Sequence, residues 1–331
     1  GLSKPRKLCN SLLGGKLDKK PLAKENKKHS EKNIGNKIMR NIIKKIIKKI
    51  IFSLKLRPPS YPYISGDTLR LITKKRYEKH KKISIEKIKK GDIIFVESPL
   101  LGEFYEKIVK NLKNPIILIV TNGDENFNES SSYIFDHPMI YYAFVQNILF
   151  KHNKIQAIPI GLENLKYLEN GIIFDFLKYK TIRRKKCKIL VNFSISTNPL
   201  EREKAFNIFE KLDYSLCFSN KKPVPVYRKI ASNYQYVLSP PGNGFDCHRT
   251  WEAIILNSIP IVKENVFFTY FPDLPVLALR RWEDIYAFTK NDLEAYYKDN
   301  YHKIINCPYL YYKYWKIQIL RKKEKLRLEQ R

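Results

Sequence analysis

The chain has 331 residues, of which 44% are hydrophobic and 13% aromatic, and a formal net charge of +31. This apolar content excludes a disordered polymer, and the length favours two globular units. The five cysteines are odd in number and form no CxxC pair, which argues against a disulfide framework or a cysteine zinc site and fits a reducing compartment.

The positive charge is concentrated at the two ends of the chain. Residues 1–57 hold 18 Lys/Arg against 3 Asp/Glu, and residues 301–331 hold 9 against 2, which leaves +9 for the 243 residues between them. A nucleic-acid-binding domain more often carries a basic stripe with interleaved aromatic residues through its folded body. We therefore expect an ordinary folded body with basic ends and no nucleic-acid partner.

Residues 1–57 are predicted to form a basic arm and an amphipathic helix. Residues 1–37 have little apolar periodicity, which indicates a flexible segment. In NKIMRNIIKKIIKKIIFSLKL (36–56), lysines occupy one helical face. The opposite face consists of Ile42, Ile43, Ile46, Ile47, Ile50, Ile51 and Leu54. With no run of 18 apolar residues it cannot span a bilayer, so it either docks on an anionic membrane surface or packs on the protein.

Residues 58–180 are predicted to form an N-terminal Rossmann-like domain, which begins where Pro58 and Pro59 end the helix. Its predicted strands are 92–96, 115–120 and 155–160. A helix is predicted at 100–112, and YYAFVQNIL (141–149) takes the helix position before the third strand. Short apolar runs that alternate with helices are typical of a parallel sheet.

Residues 181–300 are predicted to form a second Rossmann-like domain, and the boundary between the domains is predicted to fall within the basic stretch between about Phe176 and Lys186. Its predicted strands are 188–193, 214–218, 234–239, 259–262 and 275–279. Helices are predicted from Glu201 onward and around TWEAIIL. Residues 301–331 form a basic, aromatic helix candidate that either crosses back onto the first domain or reaches a membrane.

The loop PPGNGFDC, between strand 234–239 and a helix, is the expected ligand site. Ligands of open parallel sheets bind beyond the carboxyl ends of the strands. Gly242 and Gly244, which flank Asn243, allow the backbone to turn tightly and approach a ligand closely. Asp246 is predicted to cap the helix. The positive N-terminus of that helix suits a diphosphate.

Three side chains at the start of this helix are predicted to bind a sugar nucleotide. His248 and Arg249 add donors for a diphosphate. Glu252 lies on the same face, where a carboxylate can hold the vicinal hydroxyls of a ribose. The alternative is that Arg249 and Glu252 form only a surface salt bridge and that Trp251 and its apolar neighbours are core. The residues alone leave both interpretations open.

The segment SPPGNGFDCHRTWEAIILNSIPIV resembles the donor-site region of exostosin-like glycosyltransferases. The matching positions are Cys247, Arg249, Glu252, Ala253 and Ile259–Val262. Upstream, YPYISGDTLR, TNGDENF, IPIGLEN and VNFSISTNPLERE look like segments of relatives, so the resemblance covers roughly residues 60–285. Asn257 and Ser258 stand where many relatives have a small residue followed by Gly, which leaves the subfamily and the sugar open.

The resemblance implies a GT-B fold, in which two Rossmann-like domains face a central cleft. The second domain would hold a nucleoside-diphosphate sugar and the first a glycan or glycolipid acceptor, with inversion at the anomeric carbon, as in surface polysaccharide or lipopolysaccharide synthesis. The sequence has no Asp-x-Asp triplet, so we expect no metal and no cofactor. Arg249, His248 and the helix dipole would neutralise the diphosphate.

A direct displacement needs a base for the acceptor hydroxyl proton, and carboxylates or histidines on first-domain loops are the candidates. Asp67 in YISGDT is favoured; Asp124 with Glu125, and Asp136 with His137, are the alternatives. Each has an ordinary interpretation, because Asp67 can cap a helix and NGDEN can form a polar turn. Contacts in the cleft are also predicted for Glu163, Asn164, Asn192 and Ser194.

No cleavable signal sequence or spanning helix is visible, so we expect a cytoplasmic protein held on the inner membrane face by its basic ends. The rival hypothesis is a non-catalytic, basic membrane- or nucleic-acid-binding protein. A Rossmann dehydrogenase or a P-loop phosphotransferase fits poorly, because GxGxxG does not follow a strand and GxxxxGK[ST] is absent.

Overall fold

The computed structural model describes residues 39, 42, 43, 46, 58, 60–167, 172–180, 185–218, 220 and 222–329. Residues 56–331 form one compact unit and residues 1–55 another. Among residues 1–55, the described residues Met39, Ile42, Ile43 and Ile46 are helical and between 48% and 61% exposed. The rest of the predicted amphipathic helix, including its lysine face, lies outside the described residues.

The first sheet has six strands: β1 (Arg76–Glu78), β2 (Lys81–Lys82), β3 (Ile93–Glu97), β4 (Ile116–Thr121), β5 (Ile140–Val145) and β6 (Ile155–Ala157). Their spatial order is β2-β1-β3-β4-β5-β6. Only the β1–β2 pair is antiparallel; the other neighbours run parallel. The residues of β4 are all buried, as expected of a strand covered on both faces.

Three helices lie in the same part of the chain: α1 (Gly66–Leu69), α2 (Leu101–Lys107) and α3 (Ser132–Asp136). We call these helices and the first sheet the first region. Ser65 caps α1, because its hydroxyl accepts from the Thr68 amide at 3.1 Å and the Ser65 amide donates to Thr68 Oγ1 at 2.8 Å. The interpretation of Asp67 as the cap is therefore wrong, since Asp67 lies inside the helix.

The segment 141–149, expected as a helix, is mostly strand β5. It pairs in parallel with β4 on one side and β6 on the other. A short apolar run carries no periodicity that separates a strand from a helix. The two aromatic residues Tyr141 and Tyr142 and the valine Val145 favour the extended form, and the partner strands on both sides supply its hydrogen bonds.

The second sheet has five strands: β7 (Lys186–Val191), β8 (Ser215–Cys217), β9 (Tyr234–Leu238), β10 (Ile259–Lys263) and β11 (Leu277–Leu279). They are all parallel, in the order β11-β10-β9-β7-β8. This is the doubly wound order 2-1-3-4-5, whose direction of winding reverses between β7 and β9. Ligands of such sheets bind at the carboxyl end of that switch point.

We call the second sheet and its helices the second region. These helices are α4 (Phe174–Leu177), α5 (Pro199–Phe209), α6 (Val224–Ala231), α7 (His248–Ile255) and α8 (Lys290–Ile305). Asn198 starts α5, with its side chain accepting from the Glu201 amide and Pro199 at the first helical position. A reciprocal capping box of Thr289 and Asp292 starts α8, which continues past residue 300.

The last helix, α9 (Tyr312–Leu328), returns to the first sheet. Trp315 is fully buried, and its ring centroid lies 6.5 Å from that of Phe144 in β5 and 6.1 Å from that of Phe271. The Lys322 Nζ atom lies 3.6 Å from the ring centroid of Tyr142. The helix thus packs across the first region, one of the two placements expected for it.

The molecule therefore contains two α/β regions, each with a largely or wholly parallel sheet, that face a shared cavity. This arrangement confirms the predicted fold class, an α/β fold of the GT-B type with two sheets that face a cleft, while the predicted domain boundaries stay predictions.

Candidate ligand site between the two sheets

A cavity of about 670 Å³ lies between the carboxyl ends of the two sheets. Its walls are the loops that follow β3, β4 and β6 on one side and β7, β8 and β9 on the other. The switch point of the second sheet, between β7 and β9, opens into it. This is the position at which doubly wound sheets hold their ligands.

The structure brings most of the predicted site residues together. The cavity is lined by all seven predicted donor-binding residues: Gly242, Asn243, Gly244, Asp246, His248, Arg249 and Glu252. It is also lined by several predicted first-domain and contact residues: Asp124, Glu125, Glu163, Asn164, Asn192 and Ser194. Asp67, Asp136 and His137 do not line it. The donor-binding roles themselves stay predictions.

Asp67 is occupied by contacts within the first region. Its carboxylate accepts from Arg70 Nη1 at 2.9 Å and from the Leu165 amide at 2.7 Å, which ties α1 to the loop after β6. Asp136 pairs with His152 at 2.9 Å and precedes β5, so it lies toward the amino end of that strand. The geometry does not favour either carboxylate as the base, and the catalytic role of Asp67 stays a prediction.

The sequence predicted that Asp246 caps α7, and this prediction is wrong. The cap position belongs to Cys247, whose side chain makes no capping bond. The Asp246 carboxylate instead accepts from Trp251 Nε1 at 2.8 Å and from the Ile160 amide at 2.7 Å. Burial raises the pKa of Asp246 to about 7, against the opposing effect of these hydrogen bonds. Asp246 therefore joins the loop before α7 to the first region.

Four more hydrogen bonds carry residues 243–248 across the cleft. They are Asn243 Nδ2 to Asp124 Oδ2 (3.1 Å), the Phe245 amide to Asn126 Oδ1 (2.9 Å), the Asp246 amide to Asn147 Oδ1 (2.8 Å) and His248 Nδ1 to the Gly161 carbonyl (2.6 Å). A Cβ at Gly244 would lie 2.6 Å from Asn147 Nδ2. Gly244 is thus needed because the chain passes close to the first region. The sequence had instead predicted that this glycine allows close approach to a ligand.

The tautomer of His248 follows from its contact with Gly161. A carbonyl oxygen can only accept, so Nδ1 of His248 carries a proton. In the neutral ring, Nε2 is then an acceptor, and His248 can donate to a phosphate only as the imidazolium. The side chain lines the cavity from the first turn of α7.

Two arginines form a cationic pair on the second region. The guanidinium carbons of Arg202 and Arg249 each lie 5.6 Å from the Phe193 ring centroid. Arg202 is 6% exposed and donates to the Pro241 carbonyl at 2.8 Å and the Ser194 carbonyl at 2.7 Å. Burial, and next the charge of Arg249, lower the pKa of Arg202 to about 10.

Neither arginine has a carboxylate within 4.0 Å among the residues that the structure describes. Two neighbouring cations that line a cavity, with no carboxylate this close, have the chemistry that suits an anion. Arg202 was not among the site residues predicted from the sequence. Its position in the first turn of α5, directly after the first strand of the second sheet, is the signal that could have identified it.

Glu252 is buried beside this pair, at 5% exposure. Its Oε1 atom lies 4.0 Å from Arg228 Nη2 and has no hydrogen-bond partner. Burial raises the pKa of Glu252, while the charges of Arg228, His248 and Arg249 oppose that shift. The alternative of a surface salt bridge with Arg249 is wrong, because the carboxylate is buried and faces Arg228 instead.

Two further buried polar atoms in the cavity wall have no hydrogen-bond partner. They are Asn192 Nδ2, in a residue that is 3% exposed, and the Tyr227 hydroxyl, in a residue that is 7% exposed. Buried polar groups are nearly always hydrogen-bonded. Together with Glu252 Oε1, they are two donors and one acceptor in residues of the cavity wall for which the described residues supply no hydrogen bond.

No protein-family model matches this sequence, and no curated protein matches it. The exostosin-like resemblance therefore stays a prediction. Among solved structures, an alpha,alpha-trehalose 6-phosphate synthase from Burkholderia multivorans is similar with a TM-score of 0.42 and 10% identity, over 73% of this chain and 72% of that chain. A chain of the GtfA/B complex is similar with a TM-score of 0.40 and 13% identity, over 72% of this chain and 59% of that chain. These values carry nothing about the chemistry of the present site.

The described residues contain no group of three His, Cys, Asp or Glu side chains arranged to hold a metal ion. A reaction without a metal stays a prediction. Within the same residues, no helix combines the length and the apolar character that crossing a bilayer requires.

Proposed function

We propose that this chain is a glycosyltransferase that moves a sugar from a nucleoside-diphosphate sugar to a hydroxyl of a glycan or glycolipid. The observation that carries the proposal is that one cavity contains both Glu252, a buried carboxylate whose Oε1 atom has no hydrogen-bond partner, and the Arg202–Arg249 pair, which has no carboxylate within 4.0 Å among the described residues. A ligand that satisfies both must bring hydroxyl donors and a strong negative charge. A sugar nucleotide brings both groups.

The proposed binding mode follows the walls of the cavity. The diphosphate would lie at the N-terminus of α7, against Arg202 and Arg249, where free amides and the helix dipole favour anions. The ribose hydroxyls would donate to Glu252. Asn192 and Tyr227 would then contact the nucleobase or ribose with their unpaired donors. The first region would hold the acceptor.

The proposed reaction is an inverting displacement without a metal. Charge develops on the leaving diphosphate as the bond to the anomeric carbon breaks. The Arg202 guanidinium, which is buried and held by two backbone carbonyls, would stabilise that charge with little reorganisation, and such preorganised charge is the main way in which sites of this kind lower a barrier. Membership of the exostosin-like family, and an acceptor in surface polysaccharide or lipopolysaccharide synthesis, are proposed on the sequence resemblance alone.

A membrane surface is the proposed place of action, on the cytoplasmic side. Besides the exposed isoleucines Ile42, Ile43 and Ile46, the outer face of α9 exposes apolar side chains among lysines and arginines. These side chains are Ile317 (40%), Leu320 (41%) and Leu328 (60%). Such a mixture suits an interface with anionic headgroups. Binding to anionic vesicles that weakens with salt, and no binding to neutral vesicles, is the expected result.

A thermal-shift screen against UDP, GDP, CMP and ADP tests the proposal. A ligand at about 100 times its Kd stabilises by about 2.7 kcal/mol, which corresponds to a rise in Tm of about 5 °C for a protein of this size. We expect one nucleotide to raise the Tm of the parent and not of Arg249→Ala or Glu252→Ala. If none does, while oligonucleotides or anionic vesicles bind, the non-catalytic binding protein is the better account.

A further inference from the structure

The acceptor side of the cavity contains a carboxylate that makes no hydrogen bond. Glu125 lines the cavity from the loop after β4, and its Oε2 atom is buried without a partner. The Ser98 hydroxyl, in the loop after β3, is also buried without a partner. Both atoms pack against Gly123, where an added Cβ would collide with each of them.

The Glu125 carboxylate complements a hydroxyl group. A hydroxyl has one proton to donate and a carboxylate can only accept, so a hydroxyl that enters the cavity can donate its proton to Glu125. No residue in the described part of the chain is hydrogen-bonded to Oε2 of Glu125.

The position of Glu125 is fixed by its chain neighbours. Asp124 accepts from Asn243 at 3.1 Å, and Asn126 accepts from the Phe245 amide at 2.9 Å. Residue 125 is thus held between two contacts to the loop that leads into α7. Because both neighbours of Glu125 are hydrogen-bonded across the cleft, the backbone at residue 125 is held there. The Glu125 carboxylate itself takes no part in these bonds.

Inversion requires the acceptor oxygen and the leaving diphosphate to lie on opposite faces of the anomeric carbon. With the diphosphate on Arg202 and Arg249 of the second region, the base has to lie across the cleft, on the first region. His248 belongs to the same helix end as Arg249, which disfavours it as the base. Asp124 is exposed and already accepts a hydrogen bond, and Asp67 does not line the cavity.

We propose that Glu125 is the catalytic base of this reaction; the inference rests on the proposed function. The acceptor oxygen forms a bond to the anomeric carbon while the bond from that carbon to the diphosphate oxygen breaks. The electron pair of the broken bond leaves with the nucleoside diphosphate. The hydroxyl proton passes to the Glu125 carboxylate, which later releases it to solvent.

Release of nucleoside diphosphate from a panel of UDP- and GDP-sugars, with water as the acceptor, tests this role. Glu125→Gln keeps the shape of the side chain and removes the base. We expect it to lower the release rate by about 10²- to 10⁴-fold, with the thermal shift given by the nucleotide unchanged. Glu129→Gln, an exposed residue farther along the same loop, is the matched control and should release at the parent rate.

A second variant separates a base from a merely structural carboxylate. Glu125→Ala should be equally slow and should regain part of its rate when formate is added, because a small carboxylate can enter the vacated space. Parent-like release by Glu125→Gln, or a defect confined to Asp124→Asn, would overturn the inference while leaving the proposed function intact. A parent that binds nucleotide but releases none also contradicts it. A parent that binds no nucleotide overturns the proposed function itself.

Discussion

A buried carboxylate without a hydrogen-bond partner costs about 1–3 kcal/mol of folding free energy. Glu252 contains such an atom, because the residue is 5% exposed and its Oε1 has no hydrogen-bond partner, although Arg228 Nη2 lies 4.0 Å away. Asn192 and Tyr227 leave two more unpaired atoms in the same cavity wall. These three groups in one cavity wall are observations that support the proposed ligand site.

Glu252→Gln should weaken nucleotide binding and leave the fold in place. The amide keeps the volume of the side chain but accepts a hydroxyl proton less strongly than a carboxylate. Hydrogen bonds to charged groups contribute about 1.5–3 kcal/mol, which corresponds to a 10- to 100-fold rise in Kd. Calorimetric titration of the parent and the variant measures it. An unchanged Kd would mean that Glu252 does not contact the nucleotide.

Asp246 should make stability depend on pH. Burial raises the pKa of Asp246 from 3.8 to about 7 in the folded protein. The folded state therefore holds a proton that the unfolded state has lost between these values. The stability that Asp246 contributes is fully present below about pH 4 and is lost as the pH rises through about 7.

In Asp246→Asn this contribution no longer titrates. At about 1.36 kcal/mol per pKa unit, the window is worth up to about 4 kcal/mol, so the unfolding free energy of the variant should fall less between pH 4 and pH 7. Denaturant unfolding at several pH values measures the slopes. The exposed Asp299→Asn on α8 should keep the slope of the parent. Equal slopes for parent and Asp246→Asn would contradict the assignment.

The sequence predicted those site residues whose relation is local. His248, Arg249 and Glu252 share the first turns of one helix, so their spacing alone places them on one face. Arg202 and Asp246 depend on contacts with residues far along the chain: Arg202 with Pro241, and Asp246 with Ile160. No spacing rule gives such contacts, which is why the cation pair was missed and the cap was assigned wrongly.

Among the secondary-structure elements, the first turns of α5 and α7 supply the two arginines of the proposed anion site. Both helices follow strands that flank the switch point, so Arg202 and Arg249 converge on Phe193 from two directions. This convergence comes from the strand order β8-β7-β9 and not from either helix alone. A different strand order would separate the two arginines.

Arg249→Gln should weaken the binding of a nucleoside diphosphate and not of the matching nucleoside. The guanidinium contributes through the diphosphate, which the nucleoside lacks, and charge-assisted hydrogen bonds of this kind are worth about 1.5–3 kcal/mol. Titrating UDP and uridine, or GDP and guanosine, separates the two. Lys204→Gln, on the outer face of α5 with 50% side-chain exposure, is the control. Equal losses for nucleoside and diphosphate would contradict a diphosphate site.

The strands were predicted correctly where a short apolar run is bounded by polar loops, and wrongly where the apolar run is longer. Strands β3, β4 and β9 are short apolar runs bounded by polar loops, and they appear where the sequence placed them. Strand β5 has a similar composition, but the apolar residues Ile148 and Leu149 follow shortly after its end at Val145. The combined segment 141–149 is longer than a typical strand, which favoured the prediction of a helix. The pairing of β5 between two strands, which decides its conformation, is a tertiary property.

At the scale of the whole molecule, α9 holds the end of the chain on the first region. Trp315 has no exposed surface, and its Nε1 donates to the Tyr309 carbonyl at 2.9 Å. It also contacts Phe271, which follows β10 of the second sheet. One side chain thus touches both α/β regions, on a segment that composition alone would describe as a basic tail.

Trp315→Ala should destabilise the folded protein by about 3–5 kcal/mol, since it empties a large and fully buried site. Denaturant unfolding followed by circular dichroism gives the value. Ile317→Ala lies two residues away on the same helix, at 40% exposure, and should change stability by about 0.5 kcal/mol or less. A Trp315→Ala protein as stable as the parent would show that α9 is dispensable for the fold.

The most direct test of the central claim is the crystal structure of the protein with the nucleoside diphosphate that gives the largest thermal shift. The account predicts diphosphate oxygens within hydrogen-bond distance of Arg202 and Arg249, and ribose hydroxyls that donate to Glu252. A nucleotide bound elsewhere, or one in this cavity with its diphosphate away from both arginines, would contradict it.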